Sequence, residues 1–181
     1  MRAEYLGVAQ TAKLVRAALA RAFPGVKFSV RSHSYAGGCS VNVRWTDGPT
    51  EDRVSPVAKM FEGKRFDGSI DLGWSASLWL LPDGTATVAS DAGSAGSGGS
   101  ASPVREWMPH PEARLICTGA WVFCTRETGP ALAARVRAFV ARRGWQRVPM
   151  AHDAEHAEML VARRAMLTPD GALVVVRHGV T

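Results

Sequence analysis

The 181-residue chain has room for one domain, or one with a small appendage, and too little for two of ordinary size. With 46% hydrophobic and 21% charged residues it can bury a core, which excludes a disordered or fibrous chain, and no apolar run approaches the ~20 residues that a bilayer-spanning helix needs. The formal charge of +6 favours anionic partners, while three cysteines without C-x-x-C spacing, Cys39, Cys117 and Cys124, argue against a disulfide framework or a structural zinc centre.

The first residues lack the apolar core of a signal peptide, so a cytoplasmic protein without membrane association is expected. The charge is uneven: +4 over residues 1–72, −3 over 73–113, +6 over 114–149 and −1 over 150–181. Two basic blocks around a mildly acidic one suit contact with nucleic acid through Coulomb attraction and counterion release, and count against an acidic DNA mimic. The bland alternative is that 18 arginines among the 22 basic residues simply solvate exposed faces.

In chain order, Val8, Ala12, Val15 and Leu19 recur at steps of three and four and predict a helix over residues 8–22, ended by Pro24-Gly25. Residues 26–32 and 39–45 alternate with period two around a Ser34-Tyr35-Ala36-Gly37-Gly38 loop, which reads as an antiparallel hairpin. Phe28, Val30, Val41, Val43 and Trp45 then share one face. Thr46-Asp47-Gly48-Pro49 leads into a second helix over residues 50–61, with Val54, Val57, Ala58 and Phe61 inward. An irregular middle follows, containing a hairpin over residues 78–88 with a Pro82-Asp83-Gly84 turn. Residues 91–102 are almost entirely glycine, serine and alanine, the composition of a flexible linker or mobile loop.

Residues 115–124 read as one strand, and Gly129-Pro130 starts a third helix ending near residue 143, with Leu132, Val136, Phe139 and Val140 inward. A short helix over 154–164 and a hairpin, 166–167 then Thr168-Pro169-Asp170-Gly171 then 172–177, complete the chain. The expected fold is α+β: helix, antiparallel hairpin, helix, then further strands and a third helix on one mainly antiparallel sheet. The expected division is a main domain over 1–145, carrying the insertion at 91–102, and a helix-and-hairpin appendage over 146–181.

Several separated strings resemble one known family. Tyr5-Leu6-Gly7-Val8-Ala9-Gln10-Thr11-Ala12-Lys13-Leu14-Val15-Arg16, Phe23-Pro24-Gly25-Val26, Tyr35-Ala36-Gly37-Gly38 and Val43-Arg44-Trp45-Thr46-Asp47-Gly48-Pro49-Thr50 occur in order. Phe61-Glu62-Gly63, Phe66-Asp67-Gly68 and Trp121-Val122-Phe123-Cys124-Thr125-Arg126-Glu127 extend the pattern over about residues 3–72 and 115–145. Together they resemble the large polyvalent protein-associated domain, subtype twenty-nine. The resemblance implies a setting in phages, plasmids and conjugative elements beside antirestriction, nuclease and DNA-handling modules, and implies no catalytic residue. The glycine-serine segment and the last ~35 residues depart from that pattern.

Catalytic motifs are incomplete. Gly63-Lys64 is followed by Arg65 rather than Ser or Thr, so no phosphate-binding P-loop is present, and neither Ser94 nor Ser97 stands in G-x-S-x-G. His152-Asp153-Ala154-Glu155-His156 satisfies H-x-x-E-H, with two histidines one helical turn apart and a glutamate to activate a metal-bound water. Against it stand the missing further ligand and the plain alternative of two histidines on the polar face of a short helix. Cys39 near His33 is a possible thiolate pair, with a strand cysteine beside a surface histidine as the bland reading. Cys117 and Cys124, an odd number apart on one strand, would face opposite ways. No cofactor, metal site or catalytic residue is expected.

The first hairpin carries the most information. If its apolar face packs inward, Lys27, Arg31, His33 and Arg44 must face outward, with Tyr35 at the loop tip offering a ring for base stacking. Arg135, Arg142 and Arg143 on the third helix would extend this cationic surface. Trp74, Trp79 and Trp107 lie in or beside the irregular middle, where an exposed ring would suit a protein interface. The expected function is a non-enzymatic accessory protein of a phage or mobile element acting in counter-defence, anti-CRISPR or antirestriction in type, whose partner is a host defence nuclease complex or its nucleic acid. The alternatives are a nucleic-acid-binding module for element maintenance or transfer, and a metal-dependent hydrolase using His152 and His156.

Overall fold

A computed structural model describes residues 2–176. The chain divides into two compact units: the first takes the chain up to Val43 together with Ser55–Cys124, and the second takes Arg44–Val54 and the chain from Thr125 onward. Helices and strands are segregated in the α+β manner anticipated.

In the first unit, β1 (Glu4–Tyr5) leads into α1 (Val8–Ala22), which buries Thr11, Ala12, Val15, Ala18 and Leu19. The Gln10 amide oxygen accepts from the Gly7 N–H at 2.9 Å and the Thr11 hydroxyl donates to the Gly7 carbonyl at 3.2 Å, so both settle the start of the helix. Next come β2 (Ser29–Tyr35) and β3 (Gly38–Thr46), joined by the two-residue Ala36-Gly37 turn that makes them an antiparallel hairpin. Val30, Val41 and Val43 are buried on one face as period-two alternation requires. Arg16 of α1 donates to the Val30 carbonyl at 2.8 Å, fixing β2 beneath the helix.

The second helix, α2 (Glu51–Lys59), is shorter than residues 50–61, and Pro56 inside it removes one backbone donor. Beyond it, β4 (Lys64–Asp67) pairs antiparallel with β5 (Leu72–Ser75), a hairpin in what composition leaves as irregular chain. The expected Pro-Asp-Gly hairpin is β6 (Ser77–Leu80) with β7 (Ala86–Asp91); the Asp83 carboxylate accepts from the Thr85 N–H at 2.8 Å and its hydroxyl at 2.7 Å. Two further strands, β8 (Val104–Arg105) and β9 (Arg114–Cys117), complete a five-stranded sheet ordered β1-β9-β6-β7-β8, in which only the β1–β9 pairing is parallel.

The single strand expected over 115–124 is in fact two, β9 and β10 (Trp121–Glu127). Gly119 at φ 58 breaks the extended chain, and the Thr118 hydroxyl donates to the Phe61 carbonyl at 2.8 Å. Cys117 and Cys124 therefore sit in different strands rather than on opposite faces of one. Among the described residues, the strands also divide among four sheets instead of one. Besides the five-stranded sheet there is a three-stranded sheet ordered β10-β3-β2, the β4–β5 pair and a C-terminal pair.

In the second unit, α3 (Pro130–Arg143) buries Leu132, Val136 and Val140, while Phe139 is only half-buried. After a single 3-10 turn at Trp145–Arg147, Asp153 caps α4 (Ala154–Arg164) by accepting from the His156 N–H at 2.8 Å. Then β11 (Ala165–Leu167) pairs antiparallel with β12 (Leu173–Val175). Arg177, expected in the last strand, lies outside the described residues. The unit's core is Leu132, Val136, Val140, Val148, Ala157, Val161 and Ala165. Arg126 on β10 ties it together: its guanidinium donates to the carbonyls of Asp47 (3.1 Å), Gly48 (3.1 Å), Ala162 (3.0 Å) and Ala165 (2.8 Å). Among the described residues, no helix is long and apolar enough to cross a membrane.

Candidate functional site

Strand β2 builds the site by alternation. Val30 points inward, so Arg31, His33 and Tyr35 stand out on the opposite face, and Lys27 is exposed just ahead of the strand. The imidazole of His33 and the phenol ring of Tyr35 stack, with centroids 5.9 Å apart and planes 28° from parallel. Two residues apart on one face of a strand, they form a short aromatic platform, and Arg31 precedes His33 by two residues on that face. Tyr35 is 46% exposed, and its ring lies against Gly38, where an added Cβ would come within 3.0 Å of the ring edge. Among the described residues, neither Lys27 nor Arg31 forms an ion pair, so both charges stay available to an anion.

The remaining cationic residues of interest fall in the second unit. Arg44 is exposed between buried Val43 and Trp45, and Arg135, Arg142 and Arg143 are exposed on α3. Arg143 lies over the Phe139 ring, 5.8 Å from its centroid. Of the three tryptophans in or beside the irregular middle, Trp107 is 95% exposed, Trp74 donates to Asp91, and the buried indole nitrogen of Trp79 has no hydrogen-bond partner among the described residues.

The nucleophile and metal readings find little support in the geometry. The Cys39 thiol is directed at the Gly119 carbonyl, 3.6 Å away. His152 and His156 do approach, with ring centroids 4.1 Å apart at the start of α4, but Asp153 engages both residues, through the His152 ring at 2.8 Å and the His156 N–H. Among the described residues, no three His, Cys, Asp or Glu side chains come together to hold a metal ion.

Two polar clusters near β4 escape a sequence reading. Asp67, 6% exposed, accepts from the Ser69 hydroxyl (2.6 Å) and N–H (2.9 Å), from the Ser94 hydroxyl, and from the Ser100 N–H (2.8 Å) and hydroxyl (3.2 Å). The Ser69 and Ser94 hydroxyls, followed by the backbone donors, hold its carboxyl far below the usual carboxylate range against a small opposing effect of burial. The glycine-serine stretch that composition marks as a linker is thus folded back on the first unit. Ser94 is 1% exposed, its hydroxyl also accepts from the Ala101 N–H at 2.9 Å, and Gly99 packs where a Cβ would overlap Ser94 and Asp67. Beside it, Asp91 receives the Arg65 guanidinium at 3.2 Å, the Gly93 N–H at 2.9 Å and the Trp74 indole. Burial opposes its ionisation, and these donors together outweigh burial and lower its pKa. The signal for both clusters is local, an Asp before Gly-Ser and an Asp before Ala-Gly, but their partners lie up to 33 residues away.

A family model described as large polyvalent protein associated domain 29 matches residues 6–96, half of the chain. The match takes in α1, the β2–β3 hairpin with its exposed arginine and ring pair, and the Asp67 cluster up to Ser94. No curated protein and no solved structure matches the chain.

Proposed function

The chain belongs to the large polyvalent protein associated domain 29 family, whose members are associated with phages and other mobile elements, and from that premise we propose that it is a non-enzymatic counter-defence factor. It works by contacting nucleic acid handled by a host nuclease complex. The observation that carries this reading is the outer face of β2, where Arg31 and the stacked His33–Tyr35 pair stand exposed together. A guanidinium without a carboxylate partner attracts phosphate, and an adjoining ring stacks on any unpaired base, a combination that tolerates sequence and suits a single strand. Such a contact lets a small protein cover a guide or a displaced strand without chemistry of its own.

The test couples binding to protection. Cells with an active CRISPR or restriction system that express the chain should plate a targeted phage at least tenfold more efficiently than cells without it. Lys27→Glu with Arg31→Glu should abolish both this protection and oligonucleotide binding. Unchanged plating removes the counter-defence reading; if oligonucleotide binding persists at the same time, the chain serves element maintenance or transfer instead. Protection without any oligonucleotide binding would shift the contact to the nuclease protein.

A further inference from the structure

The second unit carries a groove that the outer face of β2 does not explain. Its floor comprises Val148, Leu160, Val161, Leu173 and Val175, and it encloses about 410 Å3. Val148 and Val161 belong to the buried core, whereas Leu160, Leu173 and Val175 are only partly buried and leave apolar surface open. Arg143, Arg147 and Arg164 stand around this floor, and no acidic side chain among the described residues lines it. Among the described residues, none of the three arginines forms an ion pair. Met150, at the lip, is 90% exposed and sits at φ 66, in the left-handed region that side chains with a Cβ disfavour. A flexible thioether left 90% exposed at the lip is an adaptable contact of the kind that protein-binding grooves use.

We propose that this groove docks an acidic amphipathic helix of a protein partner, with the partner's aliphatic stripe on the floor and its carboxylates toward Arg143, Arg147 and Arg164. Charge complementarity and shape select this occupant together. A polyanion such as nucleic acid would satisfy the arginines but leave the aliphatic floor against phosphate. A lipid surface calls for a convex apolar face, and this one is concave. A helix with apolar residues at i, i+3 or i+4 and i+7 brings about three aliphatic side chains to one line, which a groove of this size admits. Glutamates flanking that stripe meet planar guanidinium forks built for carboxylate.

The test uses a fluorescein-labelled peptide of about 14 residues, leucine on one helical stripe and glutamate on its flanks, titrated with the full chain by anisotropy. Saturable binding is expected. It should weaken about tenfold or more in Arg147→Glu with Arg164→Glu and also in Met150→Asp, and vanish when lysine replaces every glutamate of the peptide. All substituted positions are exposed, and matching far-ultraviolet circular dichroism shows that the variants keep the fold. No saturable binding, equal binding of the lysine peptide, or indifference to the double reversal overturns the proposal. Binding that appears only after residues 177–181 are removed assigns the groove to the chain's own end and overturns it as well. None of these outcomes touches the β2 surface, which lies in the other unit.

Discussion

Arg126→Ala should loosen the second unit more than any other single exposed or half-buried substitution in it. One guanidinium holds four carbonyls, two in the 47–48 turn and two at the end of α4 and start of β11, at 2.8 to 3.1 Å. At about 1 kcal/mol net per hydrogen bond, their sum is about 4 kcal/mol. The side chain is half-buried and borders an open cavity of about 620 Å3, so water reaches part of what the alanine leaves unpaired, and the expected loss falls to about 2–3 kcal/mol. Burial lowers the Arg126 pKa, with the Asp47 charge opposing it, yet a guanidinium stays charged at any working pH, so the loss should not vary between pH 5 and 9. Hydrogen exchange read by mass spectrometry on peptides from α3 and α4 should quicken about 30- to 150-fold, the equivalent of 2–3 kcal/mol. Arg126→Lys, with one ammonium in place of a fork, should recover less than half of the loss. Acceleration below about threefold in the alanine variant would refute the clamp.

Three further outcomes follow from the same geometry. Gly99→Ala, whose Cβ meets Ser94 and Asp67, should raise proteolytic cleavage within residues 91–102 at least tenfold, and Asp67→Ala should do the same; equal cleavage in parent and variants would mean the segment is not held by that carboxylate. Because the Asp67 pKa is depressed below its ordinary 3.8, its contribution is present above about pH 4 and fades only as pH falls through the lower folded value. Protection of 91–102 should therefore persist from pH 7 to about 4 and weaken below it, and an onset near pH 6 would contradict the assignment. Tyr35→Ala should weaken single-stranded oligonucleotide binding about tenfold, the worth of one base stack at 1–3 kcal/mol, whereas Tyr35→Phe should leave it nearly unchanged; an equal loss in both would place the contact on the hydroxyl instead.

What the sequence disclosed tracks the range of the interactions. The bounds of α1 and α3 follow from apolar residues at helical spacing and from Pro24-Gly25 and Gly129-Pro130, all of them local, and α4 falls on the residues 154–164 expected of it. The exposure of Arg31, His33 and Arg44 follows from alternation once Val30, Val41 and Val43 are inward, whereas Lys27 lies ahead of the strand. The same reasoning fails where a distant partner decides. Residues 91–102 have a linker's composition, and distant partners fold them down: the Asp67 carboxylate, 27 residues before Ser94, and Arg65 and Trp74 at Asp91. Residues 115–124 alternate well enough for one strand, yet Thr118 reaches back to Phe61 and Gly119 turns the chain. Arg126 reads as one more solvated arginine until its four carbonyls come together. The His33–Tyr35 stack escapes the same reasoning, because the alternation ends the strand at residue 32, whereas β2 runs on to Tyr35 and sets both rings on one face.

The most direct measurement is the salt dependence of binding to an oligothymidine strand by the parent and by Lys27→Ala with Arg31→Ala. A single strand contributes about 0.7 to the slope of log K against log salt per phosphate neutralised, so removing two cations should make the slope shallower by about 1.4 and weaken binding at low salt. Identical slopes and affinities for the two proteins would contradict the account, because the cations ahead of and along β2 would then make no contact with the strand.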